Sequence, residues 1–229
     1  MQLTYSPVNR FRTRRGRRLR RQIEALAEHL GRDIVILDVG GRPDYWANVG
    51  LGRIARIELV NYSAAELARE AEASGGTAAA EVFVRKVGDA RDLSGYADGS
   101  VDLVHSNSVI EHVGGWADMR AMAEEMMRVG RAGWMQTPAW EFPVEPHFRA
   151  PFLHWFGDPL RARLLGLSVK PGIRRLDMAA RRRRMEGIHL LSRSDVRLLF
   201  PGRTVEAERL ALLPKSYIVR WMPDGVGLP

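Results

Sequence analysis

The chain has 229 residues, 45% of them apolar or aromatic and 27% charged, with no cysteine and a formal net charge of +8 at neutral pH. That composition excludes a disordered chain, which could not bury enough apolar surface to offset its ordering entropy, and the missing cysteines exclude a disulfide framework, a thiolate metal site and a cysteine nucleophile. No apolar run reaches the roughly 18 residues that span a bilayer, and no apolar signal-peptide stretch follows the basic N-terminus, so a soluble cytoplasmic protein about one domain long is expected.

The charge is uneven along the chain. Residues 1–40 carry nine Arg against four acids, residues 41–150 eleven basic against sixteen acidic side chains, and residues 151–229 fifteen against seven. Two clusters stand out, eight Arg between Arg10 and Arg21 and four from Arg181 to Arg184. Clustered Arg attracts phosphate by charge and bidentate hydrogen bonding, which leaves open a nucleic-acid or anionic membrane surface. A solvated helix face and a frayed arm account for the same pattern more simply.

In chain order, Leu19, Ile23, Leu26, Ala27 and Leu30 recur at helical spacing within 18–30, and Gly31 ends the run. IVILDV (34–39) is a short, nearly continuous apolar run, as expected of a strand buried on both faces of a parallel sheet. A second strand is expected over 54–60, then a helix led by Ser63 and Glu66 as a capping box, then strands over 81–87, 101–106 and 134–137, the last preceded by a helix near 116–129. Strands alternating with helices argue for an α/β fold with a mostly parallel sheet. After a short helix at 193–200, two strand-like runs separated by Pro214 predict an antiparallel C-terminal hairpin. Between them and the fifth strand lies 138–190, rich in Pro, His, Trp and Arg, which reads as a lid or acceptor platform.

Ligands in such sheets bind at the carboxyl ends of strands. Here the first strand ends in Asp38 with Gly40 and Gly41, the second in Asn61, the third leads to Asp89 and Ala90, and the fourth to Asn107 and Ser108. The glycines let backbone approach a ligand closely, and the remaining residues can donate or accept hydrogen bonds. There is no GxxxxGK[ST] phosphate loop and no GxGxxG spacing.

The series LDVGG, then Asn61, then GDARDL, then VDLVHSNSVIEHV resembles the class I S-adenosylmethionine-dependent methyltransferases, of the type 11 kind, over about residues 30–137. The resemblance implies a Rossmann-like, seven-stranded sheet with an antiparallel C-terminal pair. It assigns Asp38, Gly40 and Gly41 to the methionine end of S-adenosylmethionine, Asn61 to the ribose, Asp89 and Ala90 to the adenine, and Asn107 and Ser108 to the sulfonium. The chain departs from that family's DxGxGxG at Arg42 and Asp44, and carries Asn61 where most members have a carboxylate. One methyltransferase domain is expected over 1–229, divided into a basic arm and helix (1–30), a cofactor core (31–137), the insert (138–190) and a terminal helix and hairpin (191–229).

Methyl transfer needs an acceptor placed behind the methyl group and, where the acceptor carries a proton, a base to take it. With no cysteine, His and carboxylates are the available groups. His147 is the first choice, in the stretch after the fifth strand that also offers Glu141, Glu145, His154 and several aromatics, and His112 the second. No metal site is expected, since Glu145 and His147 are only two apart and no HExxH is present. The function expected is methyl transfer to a small acceptor such as a sugar, a lipid-linked precursor or a secondary metabolite. The alternatives are an RNA methyltransferase, or an inactive relative that binds RNA or another polyanion through its Arg-rich ends.

Overall fold

The computed structural model describes residues 10–63 and 81–229. The helix expected over 64–73, with the Glu66 half of its capping box, lies outside the described residues. A seven-stranded sheet has the order β3-β2-β1-β4-β5-β9-β8, formed by β1 (Ile34–Val39), β2 (Ile54–Asn61), β3 (Phe83–Val87), β4 (Val101–Asn107), β5 (Gly130–Pro138), β8 (Thr204–Leu210) and β9 (Leu213–Trp221). β1 runs parallel to β2 and β4, and β2 to β3, while the C-terminal strands are antiparallel. Strand order reverses between β1 and β4, the switch point at which sheets of this kind bind ligands. Among the described residues no helix is long and apolar enough to cross a membrane.

Two compact units are distinguished. The first comprises the described residues up to Ser106 with Glu125–Trp134 and Arg220–Pro229; the second comprises Asn107–Glu124 and Met135–Val219. In the first unit, helix α1 (Arg10–Leu30) extends N-terminal of the apolar periodicity of 18–30 as far as the first described residue. Arg is a good helix former, and the extra turns are seated by Arg15 and Gly16, which are buried. A Cβ on Gly16 would lie 2.7 Å from the Asn48 carbonyl, so only glycine allows that approach. The exposed side chains Arg10, Arg14, Arg17 and Arg21 form a stripe at helical spacing, while Leu19, Ile23, Leu26 and Ala27 are buried. Gly31 (φ 66°) closes the helix, with the Gly31 and Arg32 amides donating to the Glu28 and Ala27 carbonyls. The basic segment is therefore a docked helix from Arg10 onward and not a frayed arm.

Inside the same unit, Gln22 is wholly buried and donates to the carbonyls of Gly133 and Trp221 (3.0 and 3.1 Å) while accepting from Arg220 Nε (2.9 Å). The Arg220 guanidinium lies 5.3 Å from the Trp134 ring centre and donates to the Pro229 carbonyl. One amide thus satisfies two strand carbonyls and a buried cation.

In the second unit, the 138–190 insert builds its own small core. Short strands β6 (Val144–Glu145) and β7 (Ala150–Pro151) pair antiparallel, and Phe148, Leu153, Ala162, Leu165, Ile173 and Met185 pack together. The helix Arg193–Leu199 carries a capping box between Ser192 and Asp195. The hairpin turn differs from expectation: it falls at Ala211 (φ 53°) and Leu212, and Pro214 lies inside β9. No Gly or Asn marks that turn, and a proline near a strand's first residue costs no ladder donor that the sheet needs.

Candidate functional site

In the first unit the tip of β1 is held by Asp38, which has no exposed surface. Trp46 Nε1 donates to its Oδ2 at 2.7 Å, and His105 Nδ1 lies 2.6 Å from its Oδ1, across the β1–β4 register that pairs the two residues. A carboxylate only accepts, so His105 carries its proton on Nδ1. The Tyr45 and Trp46 rings pack on that imidazole at 4.8 and 5.1 Å between centres. Trp46 closes the four-residue helix α2 (Pro43–Trp46), which Pro43 starts.

The turn between Asp38 and α2 requires its glycines. Gly40 sits at φ 69° and donates to the Val60 carbonyl at 2.7 Å, while a Cβ on Gly41 would fall 1.9 Å from the Asp38 carboxyl group. Asn61 Nδ2 donates to the Gly41 carbonyl at 2.9 Å. The structure therefore brings Asp38, Gly40, Gly41 and Asn61 into one assembly. Asp38 is occupied on both oxygens and the Gly40 and Gly41 amides are engaged by the Val60 and Asp38 carbonyls, so the turn offers a ligand its Cβ-free surface and the Asn61 Oδ1. At the departures from DxGxGxG, Arg42 Nε pairs with Asp44 Oδ1 at 3.3 Å, so the two charges offset one another beside the turn.

Asp89 and Ala90 follow β3, both half-buried. Asp89 is gripped by Arg91, whose Nε and amide reach Oδ1 at 2.9 Å and whose terminal nitrogen reaches Oδ2 at 2.6 Å. The Arg91 guanidinium, against partial desolvation, holds the carboxyl below its ordinary range.

Asn107 and Ser108 belong to the second unit, at and just beyond the end of β4. Ser108 has φ 56°, a conformation that disfavours a side chain, and is fixed by its amide donating to the Gln136 carbonyl at 2.8 Å and its hydroxyl to Gln136 Oε1 at 3.1 Å. The chain then makes a turn of 3₁₀ helix at Ile110–His112. Glu111 is wholly buried; Thr137 Oγ1 donates to its Oε2 at 3.0 Å, and burial pushes its carboxyl up to about 7. His112 Nδ1 lies 3.1 Å from the Gly187 carbonyl. Desolvation and the nearby His147 lower the His112 imidazole from its ordinary value, which favours its neutral form.

His147 and His112, the two proposed bases, are neighbours: their rings meet edge to face at 4.7 Å. His147 Nδ1 lies 2.6 Å from Oε1 of the fully buried Glu145, whose Oε2 accepts the Phe148 amide at 2.6 Å. Burial alone would raise Glu145, but the hydrogen bonds from His147 and the Phe148 amide hold it below its ordinary range. His154 is elsewhere, bonded through Nε2 to the Trp140 carbonyl at 2.8 Å, as is the Trp155 indole at 3.0 Å. Glu141 caps a backbone amide at Arg193. Of the aromatics after β5, Phe148 belongs to the insert core, whereas Trp140, Phe152, Trp155 and Phe156 are exposed.

Sequence reasoning missed three contributors. His105 stands inside VDLVHSNSVIEHV and Trp46 five residues beyond LDVGG, yet only the fold shows that they share one carboxylate. Glu111 precedes the candidate His112 and was assigned no role.

This sheet order, with a glycine turn after β1 and polar residues ending β2 and β4, defines a class I methyltransferase scaffold. Residues 37–134 match the family model described as a methyltransferase domain, and this core resembles the class I S-adenosylmethionine-dependent methyltransferases. An uncharacterized methyltransferase from Mycolicibacterium gilvum is 37% identical over 102 residues, which cover 44% of this chain and only 37% of that relative. Among solved structures, a possible exported protein from Bordetella parapertussis superposes with a TM-score of 0.57 at 17% identity, covering 92% of this chain and 67% of its own. An O-methyltransferase family protein from Burkholderia thailandensis gives 0.52 at 14% identity, covering 94% of this chain and 59% of its own. At these identities the two structures speak for the fold alone.

Proposed function

We propose that the chain transfers a methyl group from S-adenosylmethionine to a small-molecule acceptor. The observation that carries this reading is the turn after β1, where a buried carboxylate, two glycines that tolerate no side chain and the Asn61 amide form one hydrogen-bonded assembly. The residues fit the cofactor. Gly40 and Gly41 offer backbone without a Cβ, Asn61 keeps an acceptor oxygen for a ribose hydroxyl, and Asp89 supplies a carboxylate for an exocyclic amine. When bound, the cofactor supplies a methyl group on a cationic sulfur, suited to the acidic character of residues 41–150.

For an acceptor that must lose a proton, the Glu145–His147 pair is the base. Glu145 accepts from Nδ1, which fixes the tautomer and leaves the Nε2 lone pair to take the proton, while Glu145 stabilises the imidazolium that results. The exposed aromatics Trp140, Phe152 and Trp155 offer the apolar contact a small acceptor needs. An oxygen acceptor, a sugar or phenol hydroxyl, suits such a base.

Calorimetry with S-adenosylmethionine tests the cofactor half: the wild type binds, and Asn61→Ala or Asp89→Ala each weakens binding by about tenfold or more through loss of one polar contact. No heat from the wild type at millimolar cofactor overturns the proposal. Polyanion binding is a second reading, favoured by the exposed Arg10, Arg14, Arg17 and Arg21 stripe. RNA affinity would then fall steeply with salt and drop when these four become Gln. Deleting the segment is the wrong test, because Leu19 is core.

A further inference from the structure

Glu111 and His112, from the turn after β4, and His147, from the loop between β6 and β7, converge within the second unit. One potential ligand atom of each lies within 4.8 Å of the others. Spacing along the chain hides this set, because its members come from segments far apart in sequence.

The hydrogen bonds around the three residues assign their free lone pairs. The Gly187 carbonyl can only accept, so His112 carries its proton on Nδ1. The Glu145 carboxylate likewise makes His147 Nδ1 the donor. Each imidazole is left with an Nε2 lone pair that no described residue engages. Glu111 completes the set: Oε2 accepts from Thr137, whereas Oε1 is buried and has no hydrogen-bond partner. A wholly buried carboxylate with one oxygen orphaned needs an unaccounted partner.

We propose that Glu111, His112 and His147 bind a divalent first-row transition-metal ion of the Zn²⁺ or Mn²⁺ type. Two imidazoles and one carboxylate suit such ions better than Mg²⁺ or Ca²⁺, which prefer oxygen-only shells. All three ligands have the outer partners that orient metal ligands: Gly187 behind His112, Glu145 behind His147 and Thr137 behind Glu111. The charge also matches. Glu111 and Glu145 are both fully buried, and among the described residues neither pairs with Lys or Arg; the nearby Lys170 ammonium donates instead to the His147 carbonyl. A dication offsets both carboxylates. Because His112 is exposed, the ion has a route in and coordination positions left open for water or a ligand oxygen.

The site stands on its own, but its use rests on the methyl-transfer proposal. An acceptor hydroxyl bound to the ion would lose its proton to solvent more readily; the oxygen then forms its bond to the methyl carbon as the carbon–sulfur bond breaks, leaving a neutral thioether. With the ion bound, His147 is a ligand and its Nε2 lone pair is engaged, so the base role given to it above applies only to the metal-free chain.

The test is metal titration of the chelator-treated full chain, by calorimetry with Zn²⁺, Mn²⁺ and Mg²⁺ and by the visible spectrum with Co²⁺. The expected result is one Zn²⁺ or Mn²⁺ per chain, with Mg²⁺ far weaker. Glu111→Gln, His112→Gln and His147→Gln should each lower affinity at least about 100-fold, and Glu145→Gln, which touches no ion, about 10- to 100-fold. Far-UV circular dichroism and melting of the metal-free variants check folding. Should one ligand variant fail to fold, Glu145→Gln with the Co²⁺ spectrum still decides. Wild-type affinity retained in the folded variants, or binding only of Mg²⁺, overturns the site. No cofactor enters these titrations, so failure to bind S-adenosylmethionine would sink the methyl-transfer reading and leave the metal result intact.

Discussion

Replacing Trp46 with Phe removes one N–H and a third of the ring, so the bond from the indole to Asp38 is read against Trp221→Phe, whose ring is also buried. The acceptor is a carboxyl group with no exposure, and the bond is 2.7 Å long. Hydrogen bonds to charged groups contribute about 1.5–3 kcal/mol, and the abandoned oxygen has no water to replace the donor. For a chain of this length each kcal/mol moves the melting temperature by about 2–4 °C, so Trp46→Phe should melt roughly 3–12 °C lower. Two other indoles calibrate the claim. Trp221 Nε1 donates to the neutral, buried Gly130 carbonyl at 3.1 Å, and Trp155 Nε1 to the Trp140 carbonyl from an exposed ring. Their Phe variants should lose about 0.5–1.5 kcal/mol and at most about 0.5 kcal/mol. Urea unfolding of the three proteins gives the ranking. A loss at Trp46 no larger than at Trp155 would refute the argument that a buried carboxylate fixes the turn. The same variant should also weaken S-adenosylmethionine binding, since the glycine turn loses one of its two anchors.

Other consequences are as specific. Gln22→Met keeps the volume of the buried amide but removes a donor from two carbonyls and the acceptor of Arg220 Nε; urea unfolding should show a loss of about 2–5 kcal/mol. Asp102 accepts two bonds from Arg32 at 2.7 Å and the Val35 amide at 2.9 Å. Burial would raise this carboxyl, but those donors outweigh it and hold it below its ordinary range. Because the folded value is depressed, the contribution is complete above the unfolded value of about 3.9 and is lost as pH falls through the folded value. Asp102→Asn should therefore be less stable than wild type at pH 7, with the gap narrowing below about pH 4 in melts run across that range.

Much of the fold was legible because its central strands are apolar runs: IVILDV became β1 at its expected bounds, and VDLVHS became β4 with one added residue. The helix over 116–129 was likewise plain from its spacing. What escaped was whatever depended on distant partners. Arg10–Arg17 reads as a charged run, and only the close approach of Gly16 to Asn48 shows why these turns of the helix dock. Asp38 reads as a ligand contact, but its oxygens are committed to Trp46 and His105, residues that strand pairing and a four-residue helix bring to it. The two candidate histidines were identified from their neighbourhoods; that their rings touch, with Glu111 beside them, follows from the insert's path and from no local pattern.

The arginine stripe on α1 bears on how the first unit responds to its solvent. Arg10, Arg14, Arg17 and Arg21 stand three or four residues apart, the spacing at which like charges on a helix repel, while the opposite face is committed to the core. The helix is thus held from one side and strained electrostatically on the other, with the Arg20–Glu24 i, i+4 pair offsetting part of that charge nearby. Added salt screens that repulsion over distances near the Debye length, so moderate ionic strength should tighten the seat of α1. Anything anionic that lies along the stripe would do the same, making the dock of this helix a gauge of its surroundings.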